Sequence, residues 1–196
     1  MRFPLPLLYG MLLGGLFSIV ASTPSLAGPS FKGGAIAGLG KVESTTLASR
    51  SISELDLHAM AEWNFGFAGV GFSGQYRIVG QLTEPASVGG TNIRGKGLLF
   101  GPAAVLDLEP LSLQFSYDLI GAHDLSTLDP NGKAVSYRGP SGYTVILGYA
   151  VASFASMDVM LSNHSFSKIV TGGVEQSLGT DTYQETCYGL GLSLTL

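Results

Sequence analysis

The sequence predicts an all-β fold, an eight-stranded antiparallel barrel wound up and down. Three observations predict it. Large apolar residues recur at every second position through most of the chain, which is the period of a strand. Short and long connections alternate between these segments. The face opposite the apolar one is made mostly of glycine, serine, threonine and glutamine, with few charges. Charged residues are 12% of the 196 and glycines number 28; an average soluble domain carries about 25% charge.

The elements read in order as follows. Arg2 precedes an apolar run from Phe3 to Ala21, and Ser25 and Ala27 set small residues ahead of Gly28. That is the layout of a cleavable signal peptide. The run is also long enough for an uncleaved anchor, but Pro4, Pro6 and the small-residue exit favour cleavage. Gly10 and Gly14 fit a helix-pairing spacing, a coincidence inside a signal peptide. The expected division is residues 1–27 as signal peptide and 28–196 as barrel. No later stretch has the length and purity of a membrane helix.

Residues 31–42 form a first, irregular strand. In 54–65, Leu55, Leu57, Ala59, Ala61 and Trp63 oppose Asp56, His58, Met60 and Glu62. In 68–78, Val70, Phe72, Gly74, Tyr76 and Ile78 oppose Gly69, Gly71, Ser73, Gln75 and Arg77. Residues 96–107 are apolar on both faces. In 111–119, Leu111, Leu113, Phe115, Tyr117 and Leu119 oppose Ser112, Gln114, Ser116 and Asp118. Tyr143, Val145, Leu147, Tyr149 and Val151 share one face of the next segment. In 155–164, Ala155, Met157, Val159 and Leu161 oppose Ser156, Asp158, Met160, Ser162 and His164. The last segment alternates Tyr188, Leu190, Leu192, Leu194 and Leu196 with glycine, serine and threonine. Long polar connections are expected at 43–52, 81–93, 121–140 and 165–182, with turn material at Asp129-Pro130-Asn131-Gly132 and Thr171-Gly172-Gly173. Tight turns are expected at Phe65-Gly66, at Leu108-Glu109-Pro110 and at Ala152-Ser153-Phe154.

A two-residue turn at Phe65-Gly66 would pair Glu62 with Gly69, His58 with Ser73, Glu54 with Arg77, Ala59 with Phe72 and Leu55 with Tyr76. A turn at Leu108-Glu109 would put Leu106, Ala104, Pro102 and Phe100 on the face of Leu111, Leu113, Phe115 and Tyr117. Like meets like in both, and a one-residue slip would break the pattern.

Alternation alone does not say which face is inside. A soluble barrel needs Lys, Glu and Asp outside, and the non-apolar face here has few. Eight strands leave an interior just wide enough for side chains, which suits the small residues. Short turns at one end with long loops at the other is the pattern of outer-membrane barrels. The expectation is a transmembrane barrel, with Trp63, Tyr76, Tyr117, Tyr143 and Tyr188 as interfacial aromatics. A soluble periplasmic barrel of the lipocalin kind is the alternative.

On these segments the chain resembles the small eight-stranded outer-membrane β-barrels of Gram-negative bacteria, of the OmpA transmembrane-domain, OmpX and OmpW kind. The resemblance spans nearly all of 30–196 and is one of architecture. Members usually end on an aromatic residue; this chain ends on Leu196, and Tyr188 is its nearest aromatic on the apolar face. The resemblance implies an outer-membrane location, handling by the barrel-assembly machinery, contact with lipopolysaccharide and a monomeric state.

The chemistry expected inside is a polar network of Glu54, Asp56, His58, Glu62, Gln75, Arg77, Gln114, Asp118, Asp158, His164 and Glu185. Charges in so narrow a space must pair or be hydrated. A salt-bridged plug centred on Arg77 is expected; a thin cation-preferring water path is the alternative. No catalytic residue, metal or cofactor is expected. Gly69 to Gly74 match GxGxxG but continue as strand, where a dinucleotide site needs a helix. His58 and His164 with Asp56 or Asp158 lack recognised ligand spacing, and His123 falls in a predicted loop. His164 with Ser165 and Ser167 is similar to the His–Ser pair of the lipid A deacylases, but both serines have the wrong parity. Cys187 is the only cysteine, which excludes an intramolecular disulfide. A net charge of −4 and no basic face argue against nucleic acid. The expected role is structural, with exposed loops whose ligand the sequence does not name; a narrow channel or a lipid A-modifying enzyme are the alternatives.

Overall fold

The computed structural model describes residues 28–44, 50–81, 94–128 and 134–196. The expected signal peptide at 1–27, the turn expected at 129–132 and most of the loops expected at 43–52 and 81–93 lie outside the described residues. Among the described residues, ten strands follow one another: β1 Gly28–Ser44, β2 Arg50–Asn64, β3 Ala68–Gln81, β4 Arg94–Leu108, β5 Leu111–Asp118, β6 Ile120–Leu128, β7 Ala134–Ala152, β8 Ala155–Thr171, β9 Val174–Ser177 and β10 Tyr183–Thr195. Each neighbour in the ring is antiparallel. β5 and β6 are one stave interrupted at Leu119: β5 lies between the lower halves of β4 and β7, β6 between their upper halves. β10 returns to β1 from Lys32↔Thr195 to Ser44↔Tyr183 and closes the ring of eight staves. Short β9 hangs on β8 outside the ring.

Closure leaves no sheet edge facing outward within the ring, as hydrocarbon requires. The outer surface carries Leu55, Leu57, Phe72, Ile78, Phe100, Phe115, Leu147, Val159, Leu190 and Leu192, all exposed. The buried side chains facing the axis include Glu54, Asp56, Arg77, Asp118, Asp158, His164 and Glu185. A soluble barrel would have these faces exchanged. Trp63 points outward beside the turns. Tyr76, Tyr117, Tyr143 and Tyr188 point outward farther toward the loops, with Tyr117 directly opposite Tyr143.

Two sequence expectations are corrected. The two tested hairpins pair two residues away from the expected register: Glu62 meets Gly71, His58 meets Gln75, Asp56 meets Arg77, and Leu106 meets Leu113. The first turn is longer than two residues, because strand pairing ends at Asn64↔Gly69. The second turn is Glu109-Pro110, with Leu108 still paired to Leu111. A shift of two preserves parity, so no side chain changes face. The loops expected at 121–140 and 165–182 are largely strand, because β6, β7 and β8 continue beyond the apolar belt. The expected apolarity of both faces of 96–107 is present and has a simple cause: Ala103 and Val105 pack inward on Met60 while Leu98, Phe100 and Leu106 face out.

Candidate functional site

The axis of the barrel holds the candidate site, and strand parity builds it. From β2 come Glu62, His58, Asp56 and Glu54; from β3 Gln75 and Arg77; from β5 Gln114 and Asp118; from β8 Asp158 and His164; from β10 Glu185. All eleven are buried. They form three groups along the axis.

The group nearest the loops centres on Arg77, which is 1% exposed. Its Nε donates to Glu54 Oε1 at 3.2 Å and its Nη1 to Glu185 Oε2 at 2.8 Å; Nη2 donates to Glu54 Oε2. Glu185 Oε1 accepts from the Tyr183 hydroxyl at 2.8 Å and lies 2.7 Å from His123 Nδ1. Beside it, His164 Nε2 and Asp118 Oδ2 are 2.8 Å apart. Asp56, opposite Arg77 in the strand register, is wholly buried, and neither of its oxygens has a hydrogen-bond partner among the described residues. Above this group lies an apolar lid of Val42, Ile52, Val79, Leu99, Tyr137, Phe166, Tyr183 and Cys187. Tyr137 and Tyr183 stack with centroids 3.9 Å apart.

In the middle, Gln75 Nε2 donates to Thr144 Oγ1 at 2.9 Å and to Ser116 Oγ at 3.4 Å. Ile36, Ile146 and Met160 form an apolar cluster of their own. Toward the turns, Ser193 Oγ donates to Asp158 and lies 3.0 Å from His58 Nε2. Ser156 donates to the other Asp158 oxygen at 2.8 Å. Gly34 makes this contact possible: a Cβ there would fall 2.4 Å from Ser193 Oγ and 2.8 Å from His58 Cε1. Lys32 bridges Asp107 at 3.0 Å and Glu62 at 3.7 Å. A cavity of about 270 Å³ opens here, lined by Lys32, Asp107, Gln114, Asp158 and Ser193.

Sequence reasoning missed His123, Lys32 and the aromatic lid. His123 is on β6, not in a loop. Gly121, at φ 148°, lets the chain change parity: Leu119 and Ile120 both face out and His123 then faces in. The glycine is also needed for space, since a Cβ would sit 2.1 Å from the Leu98 carbonyl oxygen. A glycine inside an otherwise alternating run was the available signal. The His–Ser pair does not assemble. His164 is committed to Asp118, while Ser165 and Ser167 donate to the carbonyls of Ser141 and Gly139 on the other face.

A ring of eight staves, apolar outside and ionic inside, matches solved structures. The crystal structure of Neisserial surface protein A superposes with a TM-score of 0.62 over 85% of this chain and 98% of that one, at 14% identity. The fold is that of a small outer-membrane β-barrel. The outward apolar surface of this barrel places it in the outer membrane. The attachment invasion locus protein Ail of Yersinia pestis also matches, at a TM-score of 0.49 and 14% identity, covering 87% of this chain and 100% of that one. No protein-family model and no curated protein matches the barrel's sequence.

Proposed function

We propose that this barrel is a plugged structural scaffold of the outer membrane that carries its long strands and loops outward as an interaction surface. The observation that carries the reading is the Arg77 group. A fully buried guanidinium is held by two carboxylates from different staves, and an apolar lid lies directly over it. An ion crossing the lumen would have to break both pairs and part the Tyr137–Tyr183 stack. The role is structural rather than enzymatic, in keeping with a histidine and serines that face opposite ways. The test is conductance of the refolded barrel in planar bilayers. The expected result is a flat baseline at moderate voltage; steady unitary steps would sink the plug and favour the narrow-channel alternative.

A further inference from the structure

The turn end of the lumen carries chemistry that the plug does not use. The cavity there has Gln114 and Ile146 in its wall and the turn residues Gly66, Pro110 and Ser153 around it. Its charged wall residues are Lys32, Asp107, Glu109 and Asp158. Lys32 is already engaged: its ammonium donates to Asp107 Oδ1 at 3.0 Å and stands 3.7 Å from Glu62 Oε1. The Glu62 side chain is 1% exposed, and neither of its oxygens has a hydrogen-bond partner among the described residues. This corner therefore already holds one alkylammonium, the chain's own, on a pair of carboxylates.

Asp158 is the acid of this cavity that Lys32 does not serve. It is buried, yet its partners are hydroxyls. Ser156 donates to its Oδ1 at 2.8 Å and Ser193 to its Oδ2. His58 meets it only through Ser193, with Nε2 at 3.0 Å from the Ser193 Oγ. A buried carboxylate held by neutral groups alone still favours a cation. Gly148 on β7, opposite Asp158 in the register, leaves room for one. A Cβ there would fall 2.6 Å from Ser112 Oγ, 3.0 Å from Asp158 Oδ1 and 3.4 Å from Ser156 Oγ. Three oxygens thus converge on one small hollow, and one of them belongs to the buried carboxylate. In the same cavity wall, Leu111, Ile146 and Ala155 supply an apolar strip.

We propose that the turn end of the lumen binds a small primary alkylammonium ion, its head over Gly148 and its alkyl chain along Leu111 and Ile146. An ammonium carries three donors, and Ser112, Ser156 and Asp158 offer three acceptors. Its bond to the carboxylate is charge-assisted and is the strong contact. The cavity, at about 270 Å³, is smaller than the roughly 300–1,000 Å³ of drug-sized sites, so the occupant is small. A metal ion fits less well. Among the described residues no three His, Cys, Asp or Glu side chains stand close enough to hold one, and the apolar strip offers it nothing. An anion would face Asp107, Glu109 and Asp158 together. The site lies beyond the scaffold reading, since it uses neither the loops nor the Arg77 group.

The experiment is a titration of the refolded, isotope-labelled barrel in uncharged detergent micelles, read by its backbone amide NMR shifts. The probes are n-butylammonium chloride, sodium butyrate, n-butanol and sodium chloride, the salts at matched ionic strength. The wild type should give saturable shifts with n-butylammonium alone, centred on Ser112, Gly148, Ser156 and Asp158. Asp158→Asn should weaken binding roughly ten- to a hundredfold. Gly148→Ala keeps the charge and fills the hollow, and should weaken binding comparably; the Ser112 hydroxyl can turn aside from the new methyl group. Unchanged binding in either variant would overturn the site. So would an equal response to n-butanol, which marks an apolar pocket only, or to sodium chloride, which marks a cation site with no alkyl preference. The boiled-against-unboiled gel shift is run on each protein. If Asp158→Asn loses that shift, Gly148→Ala and the wild-type selectivity decide. Conductance steps in planar bilayers would refute the plug and leave the amine titration standing.

Discussion

Replacing Arg77 by glutamine should destabilise the refolded barrel by about 3–5 kcal/mol, the cost of removing one partner of a buried ionic group. The reason lies in what remains. Glu54 and Glu185 are wholly enclosed, and each directs a carboxylate oxygen at the guanidinium. Without it, two like charges face each other beside Asp56 and Asp118, and none can reach water. The readout is the temperature at which the compact unboiled band converts to the unfolded one. The triple variant Arg77→Met, Glu54→Gln, Glu185→Gln should recover most of the loss. Breaking a buried pair is costly, while replacing the whole group by neutral side chains is often not. Recovery separates a charge-pairing role from simple loss of volume. An unchanged conversion temperature for the single variant would show that Arg77 is hydrated and free to leave its partners.

Parity was legible in the sequence, and parity decides most of this architecture. Period-two alternation sorted Glu54, Asp56 and Arg77 onto one face and Leu55, Leu57 and Tyr76 onto the other without any knowledge of partners. Register was not legible to better than two residues. The extra length of the Phe65 turn is a property of backbone geometry there, and a shift of two leaves the alternation untouched. The partners of Arg77 were further out of reach. Glu185 is 108 residues away, and only the closing of β10 on β1 and the stagger of the staves bring it across the lumen. His123 was hidden by the parity change at Gly121. The upper parts of β7 and β8 were hidden because Ser136, Ser165, Ser167 and Lys168 read as loop. Their inward neighbours Tyr137 and Phe166 form the lid, and Gly139, at φ 62°, interrupts the alternation between the halves of β7.

Leu190→Arg and Gly189→Val, adjacent on β10, should both be strongly destabilising, for opposite reasons. Leu190 is 68% exposed on the isolated chain, between Val159 and Ala37 in the register. On the surface of a water-soluble barrel an arginine there would be nearly neutral. In a lipid-facing band it should cost about 2–4 kcal/mol near the bilayer midplane. Gly189 faces the axis, and a Cβ there would fall 2.4 Å from Ile36 Cγ2. Ile36 is wholly buried, so valine should strain the lumen by about 1–3 kcal/mol. Urea unfolding in phospholipid vesicles measures both. The arginine penalty should shrink in short-chain detergent micelles, where the side chain reaches water sooner, while the valine penalty should stay constant because its cause lies inside the ring. An arginine tolerated equally in both media would turn the Leu190 face away from hydrocarbon. Two consecutive residues thus probe the two sides of one wall, and only a lipid-facing barrel gives a penalty that follows the solvent at one and ignores it at the other.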